Sequence, residues 1–138
     1  MALPNIFNSM FAVAKQYIIT NSMYSPYVLP LNPENSKIFP LVVIEQIDDP
    51  MIRETLDKKE RKYQITIEIN IFAIDNTTTD KTIIVDELTN LVDEVFEDTL
   101  GMRRTENAPI PNIDDLVYRK HLRYKGIYDL EQNKMYDK

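Results

Sequence analysis

A stretch of strict alternation limits this chain to folds in which one face of a sheet is covered. Within residues 63–73, large apolar side chains stand at every second position. The apolar set is Tyr63, Ile65, Ile67, Ile69 and Ile71, and the polar set between them is Gln64, Thr66, Glu68 and Asn70. Successive side chains of a strand point to opposite faces, so a period of two predicts a half-buried strand whose polar side faces water. Such a strand requires a second layer over its apolar face.

A second alternating stretch covers residues 116–128, and its two faces differ in character. One set is apolar and aromatic: Leu116, Tyr118, Leu122, Tyr124 and Tyr128. The other set is largely basic: Val117, Arg119, His121, Arg123, Lys125 and Ile127. This pattern predicts a strand with one aromatic face and one basic face. Because strands usually have about 5 to 6 residues, part of this one is expected to extend beyond the subunit's own sheet.

Two helices are predicted where apolar residues recur at helical spacing, over residues 4–21 and about 80–100. For the second helix, Thr79 is the predicted N-cap and Gly101 the predicted left-handed residue after the last turn. Its outer face is acidic, with Asp86, Glu87, Asp93, Glu94, Glu97 and Asp98. Carboxylates in the last turn meet the negative end of the helix dipole, which costs from a few tenths to about 1 kcal/mol each. A basic neighbour or a partner is therefore expected at that end.

Shorter patterns complete the predicted fold of a single domain, residues 1–138. Residues 39–47 form an apolar run typical of a buried strand, and residues 102–106 and 134–136 are predicted short strands. Residues 24–33 are expected to form an irregular connection, and Pro109 and Pro111 to bound a loop. The order α-β-β-α-β-β predicts an α+β fold: an antiparallel sheet of about four to five strands with both helices packed on one face.

The segment between the two central strands, residues 51–62, is too long for a tight hairpin turn. It is highly charged, and its cations include Arg53, Lys58, Lys59 and Arg61. A long exposed hairpin arm is the predicted structure.

The composition disfavours most catalytic sites. With two glycines, Gly101 and Gly126, far apart, the chain has no glycine-rich loop to hold a phosphate. It has no cysteine and one histidine, so thiolate metal sites, cysteine nucleophiles and disulfides are excluded and a zinc site is not expected. No catalytic, cofactor-binding or metal-ligating residue is predicted. The lack of cysteine fits a reducing cytosol, and neither an export leader nor a membrane segment is expected.

The remaining candidates for chemistry favour structural interpretations. Three carboxylate pairs, Asp48 with Asp49, Asp93 with Glu94, and Asp114 with Asp115, are adjacent in sequence. Neighbouring side chains on a helix or strand diverge, and aspartates beside prolines serve turn geometry. His121 lies between two arginines, and no serine or cysteine stands in a nucleophile motif, so it is predicted to be a surface or interface histidine.

The basic residues of strand 116–128, together with Arg103 and Arg104, admit three interpretations. The first is an ordinary solvated strand face. The second is a small nucleic-acid-binding module, although its tyrosines would lie on the face opposite the arginines and the net charge of −6 opposes phosphate binding. The third is docking between copies, because an acidic helix and a basic strand on one chain are complementary and can close a ring head to tail. Charge alone does not separate the first interpretation from the third.

The element order, the charged arm and the C-terminal pattern resemble the tail terminator, or tail-completion, family of long-tailed bacteriophages. The pattern runs from Val117, Tyr118 and Arg119 through the segment RYKGIYD at 123–129 to Met135 and Tyr136. The resemblance covers residues 5–136. It implies a virion protein of the tail or neck, assembled in the host cytoplasm, that forms a six-subunit ring.

On this resemblance the ring caps the tail tube, ends its polymerisation and joins the tail to the head connector. Its partners would be further copies of the chain, the tail tube protein and a head-completion or connector protein, with no membrane and no specific nucleic acid. The predicted subunit interface uses Arg103, Arg104, Arg119, Arg123, Lys125, Glu94, Glu97 and Asp98. The predicted contact arm toward tube or neck uses Arg53, Lys58, Lys59 and Arg61.

Overall fold

The protein is described by a computed structural model that covers residues 6–30, 38–47, 62–76, 78–110, 116–129 and 134–136. Its helices are α1 (Ile6–Asn21) and α2 (Lys81–Asp93), the latter continued by a π-helical segment (Glu94–Thr99). Its strands are β1 (Tyr27–Leu29), β2 (Leu41–Gln46), β3 (Lys62–Ala73), β4 (Arg103–Ile110), β5 (Tyr118–Asp129) and β6 (Lys134–Tyr136).

The strands form one sheet in the order β1-β2-β3-β5-β4, and β6 pairs with the end of β5. All the pairs are antiparallel except β1 with β2, which is parallel. The predicted α+β class is confirmed, with both helices on one face. The parallel strand β1 lies in the proline-rich segment that was expected to be irregular. The sequence did not predict it because three residues are too few to show a period of two.

The core lies between the helices and the apolar side of the sheet. It combines Ile65, Ile67, Ile69, Ile71, Leu122 and Tyr124 from the strands with Ala14, Ile18, Leu88, Val92 and Phe96 from the helical layer. Phe96 stacks on Tyr124 with ring centroids 5.1 Å apart. The predicted alternation of β3 and β5 is therefore confirmed on this face.

The N-cap of the second helix lies one residue later than predicted. Asp80 is the N-cap, and its carboxylate accepts hydrogen bonds from the Thr82 hydroxyl and the Thr82 backbone N–H, which lower the Asp80 pKa. Thr79 instead donates its backbone N–H to the Asn76 side chain at 2.5 Å. The prediction of Thr79 was wrong because threonine and aspartate are both good caps, and the loop geometry selects between them.

The C-terminal end of this helix matches its prediction. Gly101 has a φ of 73°, the left-handed conformation expected there. The Met102 backbone N–H donates to the Phe96 carbonyl at 2.9 Å, so the chain closes the widened last turn before it enters β4.

Two predictions about the last strands were wrong. Pro109 lies within β4, opposite Lys120, rather than in a loop, and β4 tolerates it because an edge strand needs hydrogen bonds on one side only. All 12 residues of β5 pair with β3, so none extends beyond the subunit's own sheet. The partner strand β3 is equally long, and the alternating pattern predicted all of it except its first residue, Lys62.

Candidate interaction surfaces on the sheet and the second helix

The predicted interface residues of β5 lie on the face of the sheet turned away from the helices, here called the far face. Strand register arranges its side chains in rows. One row is Glu45, Glu68, Arg123 and Glu106, on β2, β3, β5 and β4 respectively. The neighbouring rows contain Asn70, His121 and Ala108 on one side, and Thr66, Lys125 and Arg103 on the other.

The far face is therefore mixed in charge rather than basic. Among side chains that the structure describes, its cations are Arg103, Arg119, Arg123 and Lys125, and its carboxylates are Glu45, Glu68 and Glu106. The sequence pattern of β5 showed only the cations, because the carboxylates come from three other strands.

An irregularity in β4 places one of those carboxylates, that of Glu106, on the far face. Arg104 pairs with Tyr124 but Glu106 pairs with Arg123, so Thr105 is an extra residue that forms a β-bulge. Without the bulge, Glu106 would share the face of Arg104 and point toward the helices. With it, Glu106 lies on the far face.

Four ionisable side chains form an ion cluster on the far face: Glu68, Glu106, His121 and Arg123. His121 Nε2 lies 2.9 Å from Glu68 Oε1, and His121 Nδ1 lies 3.1 Å from Glu106 Oε1. Arg123 approaches the second oxygens of the same carboxylates, at 3.5 Å and 3.9 Å. Its Nε is buried and has no hydrogen-bond partner in the described part of the chain.

His121 was predicted to be a surface or interface histidine, and the structure shows that it is not on the exposed surface. It is 5% exposed, and Thr66 and Asn70 on the same face are buried too. The prediction assumed that a polar strand face is solvated, but this part of the far face is buried.

Arg119, another predicted interface residue, is bound within the chain. Its Nε and Nη2 donate to Asn70 Oδ1 at 3.2 Å and 3.0 Å, and its guanidinium lies 5.3 Å from the centroid of the Phe72 ring. Hydrogen bonding and cation–π attraction thus hold it against β3.

A second group of contacts within the chain lies on the helix side of the sheet, where Arg104 meets the last residue of α2, Asp93. Arg104 pairs with the Asp93 carboxylate, which also accepts a hydrogen bond from the Tyr124 hydroxyl. Burial, and then the hydrogen bond to Asp93, raise the Tyr124 pKa. Glu94 accepts a hydrogen bond from the Tyr17 hydroxyl, which raises the Tyr17 pKa. The carboxylates of Asp93 and Glu94 therefore contact different elements of the same chain, and Glu94, a predicted interface residue, is bound to Tyr17.

Four predicted interface residues have no ion-pair partner among the described residues. Glu97 and Asp98 are exposed on the π-helical segment, and Arg103 and Lys125 stand directly opposite each other on the far face. None of the four makes an ion pair within 4.0 Å in the described part of the chain. Like charges directly opposite on adjacent strands are unfavourable, so an acidic group placed beside Arg103 and Lys125 would relieve their repulsion.

The tyrosines of β5 lie on the helix side. Tyr124 and Tyr128 are buried in the core, and Tyr118 packs against it. They provide no surface on which bases could stack beside the far-face cations, which is the geometry that the nucleic-acid interpretation requires.

The arm residues Arg53, Lys58, Lys59 and Arg61 lie outside the described residues, as do Asp48, Asp49, Asp114 and Asp115. In the described ranges no three histidine or carboxylate side chains are grouped so as to hold a metal ion. No described helix has the length and apolar character needed to span a membrane. The sequence matches no protein-family model and none of the curated proteins.

Proposed function

We propose that this chain is a non-catalytic structural protein whose copies assemble into a ring, as in the phage tail terminators that it resembles. In that role the ring caps the tail tube, stops its growth and joins the tail to the head connector in the virion. The tube protein and a connector protein are its proposed partners, and six is the subunit number that the resemblance implies.

This proposal depends on the four charges that have no partner in the described part of the chain. Glu97 and Asp98 crowd the negative end of a helix, where carboxylates are unfavourable unless a cation lies nearby. Arg103 and Lys125 repel one another on a different face. Contact between the acidic end of one copy and the basic pair of the next relieves both costs. Such head-to-tail contacts join unlike surfaces and close into a ring when the rotation permits.

The contacts within the chain reduce the number of residues that are available to the proposed interface. Arg104, Arg119, Arg123 and Glu94 already bind Asp93, Asn70, two glutamates and Tyr17 respectively. Docking through those side chains would first have to break these contacts. We therefore base the proposed pairing on Glu97 and Asp98 with Arg103 and Lys125.

Sedimentation and native mass measurement of the full chain test the proposal. The wild type is expected to form a closed oligomer that dissociates as salt is raised, because exposed charges are screened. Lys125→Glu should weaken each contact by roughly two- to fivefold, the worth of an exposed ion pair, and the effect should multiply around a ring. Adding Glu97→Lys to that variant should partly restore assembly.

Lys15→Glu, an equal charge reversal on α1, is the matched control and should leave assembly intact. A wild type that stays monomeric at high concentration and low salt would overturn the ring. Failure of Glu97→Lys to rescue would remove this pairing alone. The nucleic-acid alternative requires a salt-dependent affinity for single-stranded RNA, which the same samples can be used to measure.

A further inference from the structure

The sheet ends at β4 on one side and at β1 on the other, and each of these strands pairs with one neighbour only among the described strands. The main-chain N–H and C=O groups on the outer side of an edge strand can hydrogen-bond to a strand of another chain. Residues 103–107 of β4 are exposed, so this edge can be approached from outside. A regular edge of this length would allow the sheet to extend from one copy of the chain to the next.

Two features interrupt the regular main chain of β4. The first is the bulge at Thr105, which inserts one residue between the pairs that join β4 to consecutive positions of β5. The Thr105 hydroxyl donates to the Arg123 carbonyl at 3.4 Å across this break in the ladder. The second is Pro109, which has no N–H to donate. The longest regular run that remains is residues 106–108, which is shorter than a usual strand of about 5 to 6 residues.

The opposite edge is short and lies between two prolines. β1 has three residues, with Pro26 directly before it and Pro30 directly after it. Ser25, which precedes Pro26, has a φ of 50°, so the extended conformation does not continue in that direction. β6, which pairs with the end of β5, has three residues as well. No described edge therefore presents a long regular run of main-chain donors and acceptors.

We propose that the bulge at Thr105 and the proline at Pro109 close the β4 edge to strand addition, as Pro26 and Pro30 close the β1 edge. Other copies and other partners then contact the sheet through side chains on its faces rather than through main-chain hydrogen bonds. In a ring protein an open edge would compete with ring closure, because repeated head-to-tail addition that does not close gives an open filament. The closed edge does not depend on the ring, since it follows from the strands of one copy.

Removal of the two features distinguishes protection of the edge from mere tolerance of a proline and a bulge. Deletion of Thr105 makes the pairs on either side of the bulge consecutive, so every other residue of β4 stays on its present face. Pro109→Thr restores the missing N–H with a polar residue that is favoured in strands. The double variant thus keeps the docking residues and the ion cluster and changes only the regularity of the edge.

Sedimentation of the full chain at high salt measures association that does not depend on exposed charges, because salt screens them. The double variant is expected to associate roughly tenfold or more tightly than the wild type, since each main-chain hydrogen bond gained contributes about two- to tenfold. Its complexes should grow with protein concentration, and amide exchange in residues 106–110 should slow as they form. Asn107→Thr is the matched control, because it places the same residue in the same strand but leaves the bulge and Pro109 intact. It should behave as the wild type does.

A folded double variant that associates no more than the wild type at high salt would overturn the proposal. Equal association of Asn107→Thr and the double variant would do so too. Circular dichroism and urea unfolding show whether each variant is folded. If the deletion prevents folding, Pro109→Thr alone decides, with an expected gain of about two- to tenfold and no gain as the contrary result. Loss of the ring would appear as a wild type that is monomeric at low salt, which is a separate measurement.

Discussion

The two faces of β3 are both largely buried, but one is stabilised by apolar packing and the other includes buried polar side chains that need hydrogen-bond partners. The helix-facing residues from Ile65 to Ile71 are apolar and lie in the main core. On the far face, Thr66 is 3% exposed and Asn70 is 6% exposed, yet both are polar. An alternating pattern thus identifies the apolar face of a strand, but it does not show that the other face meets water.

The consequence is a difference in how each face responds to change. Apolar burial is roughly proportional to area and has no direction, so loss of atoms from the helix face costs in proportion to the cavity left behind. Around Thr66 and Asn70 the far face depends on matched donors and acceptors, and a missing partner there leaves a buried polar group unsatisfied. Farther along the same face, Phe72 packs with Leu41 and Val43 in a small apolar cluster. Three substitutions probe this contrast.

The largest effect is expected at Ile69, which is fully buried at the centre of the helix face. Ile69→Ala should lower the free energy of unfolding by about 2 to 5 kcal/mol, because the surrounding side chains cannot collapse completely into the cavity. Ile83→Ala, at a position 56% exposed on α2, is the control and should change it by less than about 0.5 kcal/mol. Urea unfolding measures both, and similar losses would contradict the helix-covered core.

A smaller effect is expected at Asn70, the next residue along β3. Asn70→Ala removes the acceptor of two hydrogen bonds from Arg119 and should cost about 1 to 2 kcal/mol. Asn90→Ala on the exposed side of α2 is the matched control. A loss as large as that of Ile69→Ala would show that the two faces of β3 contribute equally to stability.

The smallest effect is expected for Tyr124, a polar exception on the helix face. Tyr124→Phe removes a hydrogen bond to Asp93, whose carboxylate keeps Arg104, and should cost about 1 kcal/mol near neutral pH. Burial and that hydrogen bond raise the pKa of the tyrosine. Its stabilisation is therefore complete below the ordinary tyrosine value of about 10 and is lost as pH rises above it.

The measurement is urea unfolding at neutral pH and near pH 11, with Tyr27→Phe, at a half-exposed position, as the control. The gap between wild type and Tyr124→Phe should narrow at the alkaline end. A gap that widens would mean that the ionised tyrosine is favoured in the folded state.

Local patterns predicted the fold well. The two helices, the left-handed Gly101 and the alternation of β3 and β5 all follow from spacing within a few turns or strand residues. The misassigned features depended on neighbours elsewhere in the chain. β1 is a strand only by its parallel pairing with β2, and Pro109 is acceptable within β4 because β4 is an edge strand. The roles in a ring, including those of Glu97 and Asp98, stay predictions.

The sequence alone determined the class of fold and the apolar face of each long strand. It also showed that the glycine-rich loops and cysteines of common functional sites are lacking. The partners of the charges came only with the folded sheet. Arg123 and His121 contact Glu106 because the bulge at Thr105 shifts the register of β4 by one residue and so moves Glu106 to the far face. They contact Glu68 because β3 pairs with β5 in the register that places Glu68 opposite Arg123. Periodicity is a property of a single segment, whereas an ion pair depends on the alignment of several, and packing of the whole chain sets that alignment.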